Sequence, residues 1–494
     1  MKNFANTILA CVVLAGCASS AGIAPQSSPL QAADMAFDAQ NISKSAAEAS
    51  WPNEKWWQIY GDTQLDALMA RALQDNPGLR EVAARGRQAA ALVERTDADG
   101  KPHVAAVASL DRQLFSEHDF IPAPEAGNYA WYNRLALQAG YDLDLWGKHH
   151  HALAASLAQK QLADAETQLA SLTLEQAVTH AYVELSLQFA LRDMAEERLA
   201  HRNQALDVVR KRLQAGLVSE VDVTQLEATL PPLALEIEQC EERITVLRNQ
   251  LAVLSGQGPG AGAQIDRPHL QLQTVQTALP STLPADLIGR RPDVVASRWG
   301  VEAASQQISV ARAAFYPDID LKAFIGFQAI GFSRFLSGES SIRGVGPAIS
   351  LPIFDGGALR ANLGANTAAY DAAVERYNST LLKALESVTD RLVAVQSVVK
   401  QRELNDTALA TACRARELAA KGVAAGMTDY LVLIESEINL LARQQEQVRL
   451  QARQLEEHAE LMLALGGGLP PQAVPDMASP NHPAPDNIHK AKQS

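Results

Sequence analysis

The sequence predicts an α+β membrane protein in which one unit of helix, strand, strand, long helix and long helix is written twice. Three observations carry that expectation. Motifs recur at an offset of about 210 residues or slightly more, far longer than the period of a solenoid repeat. Two proline-free runs carry apolar residues at helical spacing, and the segments before them alternate apolar and polar residues.

At the N-terminus, Lys2 is followed by an apolar stretch, Ile8 to Ala15, and then by Leu14-Ala15-Gly16-Cys17. The stretch is too short to cross a bilayer and reads as the core of a signal peptide over residues 1–16. Leu-Ala-Gly-Cys resembles the bacterial lipobox, whose cysteine becomes the acylated first residue. Cys17 is therefore the expected lipidation site, and residues 17–60 a lipid-anchored segment. Ala18, standing where an aspartate would redirect the protein, implies by the same resemblance sorting to the outer membrane.

The first repeat is assigned to residues 61–255 and the second to 284–466, with a Gly- and Pro-rich linker at 256–283. Asn76-Pro77-Gly78-Leu79 opens a helical stretch ending near Arg95, and Pro102 precedes an alternating segment. Arg291-Pro292-Asp293-Val294 opens its counterpart, which ends near Ala313 before Pro317. Gly216-Leu217-Val218-Ser219 recurs as Gly426-Met427-Thr428-Asp429, Glu227 as Glu437 and Leu230 as Leu440.

His149 to Ala215 and Asp355 to Ala425 are the long helices, each on the order of 100 Å at the helical rise. Helices of that length must lie side by side, as coiled coils do. Gly216 and Gly426 suit the left-handed position that ends a helix. Ser219 and Thr428 are the expected caps of the returning helices, with Asp222 and Asp429 in the first turn. The chain thus folds into two antiparallel hairpins. Pro231-Pro232 should break the first return, while Leu441-Ala442 leaves the second intact. Cys240 and Cys413 lie at different distances from their hairpin tips, so no disulfide is expected and both thiols are read as buried.

From Tyr129 to Leu145 the odd positions are mainly apolar and the even positions mainly small or polar. Ile319 to Gln328 repeats the pattern, and weaker copies run from His103 to Leu114 and from Ile342 to Ile353. A soluble, half-buried sheet alternates in the same way. Strand length beyond the usual range and aromatic residues near the strand ends instead fit a membrane barrel. Four strands cannot close a barrel and an open edge cannot face lipid, so that reading demands several chains.

Composition narrows the remaining classes. The 494 residues carry 43 Lys and Arg against 56 Asp and Glu, a net charge of -13, with no basic block. A nucleic-acid partner is not expected. No stretch reaches the apolar length of a transmembrane helix, so any crossing must use strands. His149-His150-His151 points in different directions on a helix and is read as a solvated strand-to-helix junction, with no metal. Ser255 to Gly260 lacks the ending of a phosphate loop. No catalytic constellation and no cofactor are expected. The tail, 467–494, is polar and Pro-rich and reads as disordered.

Together these residues resemble the TolC-like outer-membrane factors, in the lipoprotein branch related to the nodulation protein NodT. The resemblance runs from about Trp51 to Gly466 and rests on motifs kept in order. They are Trp56-Trp57 with Gly61-Asp62 and Leu65-Asp66, Arg290 to Val294, Ala313 to Pro317, and Leu351 to Gly357. It implies a homotrimer in which each chain gives four strands to a twelve-stranded barrel, continued by an α-helical coiled-coil tunnel across the periplasm. It further implies a passive outer-membrane channel of a tripartite efflux pump for drugs or other small toxic compounds. Its partners would be outer-membrane lipid, a periplasmic adaptor and an inner-membrane transporter. A duct for protein secretion and a periplasmic lipoprotein scaffold stay open as alternatives.

The same resemblance assigns sites. Adaptor docking falls on the tips, Gly216, Leu217, Val218 and Ser219 with Gly426, Met427 and Thr428. The periplasmic gate falls on Leu431 and Glu435, which share a helix face and would form an apolar constriction beside an acidic ring. The chain departs from the family before each tip glycine, where an Arg-Tyr pair helps latch the closed state. Here stand Arg212-Leu213 and Gly422-Val423, so a hydrogen-bonded latch is not expected at those positions.

Overall fold

The computed structural model of the chain describes residues 19–30, 53–270, 289–471 and 474. The signal peptide, Cys17 and most of the tail lie outside them. Local chemistry punctuates the first helices. Asp62 caps α1 (Thr63–Asp75), its carboxylate accepting the Gln64 amide at 2.9 Å. Asn76 ends α1 and caps α2 (Pro77–Asp99), accepting the Leu79 amide at 3.0 Å, with Pro77 in the first turn where no amide is needed. In the second repeat α6 (Pro292–Ala313) occupies the place of α2 and again has proline in its first turn. Labels in between follow the chain: α3 (Lys148–Gln214), α4 (Glu220–Glu227) and α5 (Leu230–Leu254) close the first repeat. The second repeat ends with α7 (Ala358–Ala424) and α8 (Tyr430–Ala464).

α3 and α7 are each 67 residues long, about 100 Å at the helical rise. Asp355 stands outside α7, two residues before its cap Gly357, and accepts the amides of Gly357 and Leu359 at 2.9 and 2.6 Å. The first returning helix is broken into α4 and α5 at Ala228-Thr229, because Pro231 and Pro232 cannot donate to the ladder. α8 returns without a break, as its sequence predicts.

Four strands, β1 (His103–Leu114), β2 (Tyr129–Asp142), β3 (Asp318–Ile330) and β4 (Ser341–Ser350), form one antiparallel sheet in chain order. β2 and β4 each end a few residues earlier than the alternation suggested. Leu135 stands between Ala108 and Phe327 on one face, and Arg134 between Ser109 and Gln328 on the other. The apolar face is the more exposed, with Val345 at 77% and Ile325 at 61%. Ten residues separate the aromatic side chains Trp131 and Tyr141 on that face. At about 3.3 Å per residue and the usual barrel tilt, the band between them is about 25 Å tall, the height of an outer-membrane barrel's apolar belt. Trp146, stacked on Tyr316 at 4.7 Å and donating to the Pro317 carbonyl at 2.9 Å, marks the sheet-to-helix junction.

Below the sheet the helices pack around two main cores. Trp56, Trp57, Tyr60 and Met69 fill the space between α3, α5 and α8. Val294, Val301 and Ile308 of α6 pack on Leu363, Val374 and Leu381 of α7. Two polar contacts sit inside the first core. The buried Glu175 carboxylate accepts the Trp56 indole at 3.1 Å, and Tyr60 donates to the Leu455 carbonyl at 3.0 Å beside His458. No helix among the described residues is long and apolar enough to cross a membrane.

Candidate gate and hairpin tips

The two hairpin tips are built from one hydrogen-bonding pattern. In the first, the Gly216 amide bonds the Leu213 carbonyl at 2.9 Å and the Leu217 amide bonds Arg212 at 2.9 Å. In the second, Gly426 bonds Val423 at 3.1 Å and Met427 bonds Gly422 at 2.9 Å. Gly216 and Gly426 sit at φ of 70° and 68°, the left-handed position a side chain would strain. Leu217 and Met427 project into solvent, 73% and 80% exposed.

The caps differ from one tip to the other. The Ser219 amide and hydroxyl both donate to Asp222, at 2.8 and 2.7 Å, and these bonds lower the Asp222 pKa. In the second tip Asp429 caps α8, with the Leu431 amide 3.4 Å from its carboxylate; Thr428, the expected cap, does not fill that role. Thr428 instead lies so close to Gly422 that a Cβ there would meet its hydroxyl at 2.7 Å. A side chain at position 422 would require Thr428 to shift.

Leu431, Glu435 and Ile438 lie on one exposed side of α8, at spacings of four and three residues. The preceding residue, Tyr430, turns the other way. Its ring packs against the first hairpin's tip core of Leu206, Val209, Val223 and Leu226, and the Arg212 guanidinium stands 5.4 Å over it. Position 212 thus contributes a cation–π contact between the hairpins. Sequence reasoning missed Tyr430, because its partner is 218 residues away. Below it Gln445 donates to Glu236 at 3.0 Å, while Arg198 pairs with Glu236 at 3.0 Å. Within each hairpin an arginine bridges the repeated glutamate: Arg210 to Glu227 at 2.7 Å, and Arg416 to Glu437 at 3.4 Å.

The other singled-out residues have structural roles or lie apart. The His149 ring is 2.7 Å from Asp142 and the His151 ring 2.7 Å from Gln306, which ties the junction together. No metal-binding group of His, Cys, Asp or Glu occurs among the described residues. Cys240 is buried, but Cys413 is exposed on α7, contrary to the expectation that both are buried; neither is bonded. Burial pushes the Cys240 thiol pKa up. The segment just after Cys17 runs along α7. The Ala21 carbonyl accepts from Arg360 at 3.2 Å, the Gln26 and Ser27 amides donate to Asp371, and the Leu30 amide to Asn378 at 2.8 Å. Arg360 lies in the first turn of α7, so the segment starts at the sheet-facing end of the helices.

Comparison with known proteins agrees with this geometry. The family described as outer membrane efflux protein matches residues 68–257 and 283–467. The fusaric acid resistance protein FusA of Burkholderia cepacia is 42% identical over 361 residues, 72% of this chain and 68% of that protein. The multidrug resistance outer membrane protein MdtP of Shigella flexneri is 33% identical over 440 residues, 87% of this chain and 89% of its own length. The crystal structure of the outer membrane protein VceC of Vibrio cholerae superposes with a TM-score of 0.79 at 34% identity, covering 85% of this chain and all of that one. The fold is that of trimeric outer-membrane channels, with a twelve-stranded barrel and a helical tunnel extending into the periplasm. A sheet with two free edges, two 67-residue helices about 100 Å long and these matches have one explanation: the chain belongs to the outer membrane efflux protein family.

Proposed function

We propose that the chain is the outer-membrane channel of a tripartite efflux pump, passing drugs or other small toxic compounds outward without altering them. The observation that carries this reading is the direct junction of the sheet to the hairpins. The sheet has an apolar, exposed face and two unpaired edges, and β2 and β4 each lead into a 67-residue helix, about 100 Å at the helical rise. The resistance named for FusA and MdtP supports small molecules as cargo. The partners are two further copies of the chain, a periplasmic adaptor and an inner-membrane transporter. Adaptor docking belongs to the exposed tips around Leu217 and Met427, and the gate to Leu431 and Glu435, whose outward face no residue of the same chain covers in the described structure.

Lipidation of Cys17 is part of the proposal. The chain from Ser19 onward is held along α7, beginning in the helix's first turn. Cys17 precedes Ser19 by two residues in the sequence, and an acyl chain on it would enter the inner leaflet next to the barrel. The division into residues 1–16, 17–60, 61–255, 256–283, 284–466 and 467–494 belongs to the same reading.

Deleting the gene tests it. Sensitivity to the pump's compounds should rise several-fold, with accumulation of a fluorescent efflux substrate in the cells, while protein secretion stays unchanged. Unchanged sensitivity together with loss of a secreted protein would replace the efflux reading with the secretion duct.

A further inference from the structure

The strand register divides the sheet into two faces, since cross-strand partners point the same way. On the apolar, lipid-facing side the charged residues of the described strands are Arg112 on β1 and Arg343 on β4. Both are exposed. A guanidinium at the centre of the hydrocarbon is heavily penalised, while one near an interface is tolerated.

Their heights agree. Arg112 lies two residues from the extracellular end of β1 at Leu114, and Arg343 two residues from that of β4 at Ser341. Along the ladder these ends are staggered. Leu114 faces Tyr129, whereas Ser341 is level, through Phe327, with Leu135, six residues further along β2. The periplasmic ends step the same way: His103 faces Gly140, while Ser350 faces Asp318, beyond the Asp142–Asp320 pair. Tilted barrel strands whose ends are level with a membrane produce this stagger. The two arginines therefore share one height, close to the extracellular surface.

β1 and β4 are the edges of the sheet, so closing the barrel sets β4 of one copy beside β1 of the next. Each seam then carries Arg343 and the next copy's Arg112 on neighbouring strands of the lipid-facing side. Like charges so placed repel unless an anion lies between them. The Tyr129 ring, 6.0 Å from the Arg112 guanidinium, holds that group at the surface. Neither arginine enters an ion pair among the described residues.

We propose that each seam of the trimer binds a phosphate of lipid A, the phosphorylated glycolipid of the outer leaflet. Two guanidinium forks match phosphate oxygens in charge and geometry. Their extracellular height selects the outer-leaflet lipid over the phospholipids of the inner leaflet. The site rests on closure by three copies and is independent of what the channel exports.

Native mass spectrometry of the detergent-solubilised full-length trimer, titrated with lipids of defined headgroup, tests the proposal. Up to three bisphosphorylated lipid A molecules should bind per trimer, and dephosphorylated lipid A about tenfold more weakly, the loss expected for a charge-assisted contact. Arg112→Gln with Arg343→Gln should weaken bisphosphorylated lipid A similarly, in trimers that still migrate intact. Equal binding of the two lipid A forms by the wild-type trimer would overturn the proposal without any variant. So would equal binding of phosphatidylglycerol, or wild-type affinity in an intact double variant. A trimer that binds no lipid A would still leave the channel reading standing.

Discussion

At the scale of single residues, burial of two ionisable groups in the first core gives the protein opposing pH dependences. Glu175 has its pKa raised to about 7, chiefly by burial, with the Trp56 indole opposing. An acid whose pKa is higher folded than unfolded loses stability as pH rises, here from about 4.5 to above 7. His458 is lowered to about 4 by burial, so its contribution is present above about 6.5 and lost as pH falls toward 4. Glu175→Gln keeps an acceptor for the indole and removes the carboxylate. It should raise stability at pH 8 by about 3 kcal/mol, with little effect at pH 4.5. Thermal unfolding of detergent-solubilised protein at the two pH values measures this, and equal shifts at both would show that the carboxylate is not strained. None of this was legible in the sequence, where Glu175 is one acid among many on a long helix. What buries it is Trp56, 119 residues earlier.

At the scale of elements, the hairpins, strands and proline break could be read in advance because each is set by local chemistry. Gly216, Gly426 and Pro231-Pro232 act through their own backbone, and the alternation of β2 records which side each residue faces. Contacts between elements were not legible. Thr428 looked like a cap because nothing in the sequence shows that it folds back against Gly422. Cys413 looked buried because a helical face cannot say which neighbour covers it, and in the chain none does. Tyr430 was passed over although it fastens the second hairpin to the first. Tyr430→Ala removes the aromatic face from Arg212, a contact of about 0.5–1 kcal/mol, along with its packing on the tip core. Backbone amide exchange should rise by about twofold to fivefold around residues 206–226, with the barrel unaffected. Unaltered exchange in that segment would mean that the hairpins are held together elsewhere.

At the scale of the whole molecule, duplication explains why two hairpins of equal length hang from one sheet, and the sheet's free edges explain why one chain is not enough. The barrel, the tunnel and the family were all legible, since they rest on periodicity and on motifs in fixed order. The proposed gate would be a property of three chains together: Leu431 and Glu435 are merely exposed on one, and would form a constriction only where three copies surround an axis. The account therefore stands or falls on single-channel conductance of the purified trimer in planar bilayers, wild type against Leu431→Ala with Glu435→Ala. It predicts small conductance for the wild type and a several-fold increase for the variant. Equal conductance would contradict the gate, and no conductance from either protein would contradict the channel itself.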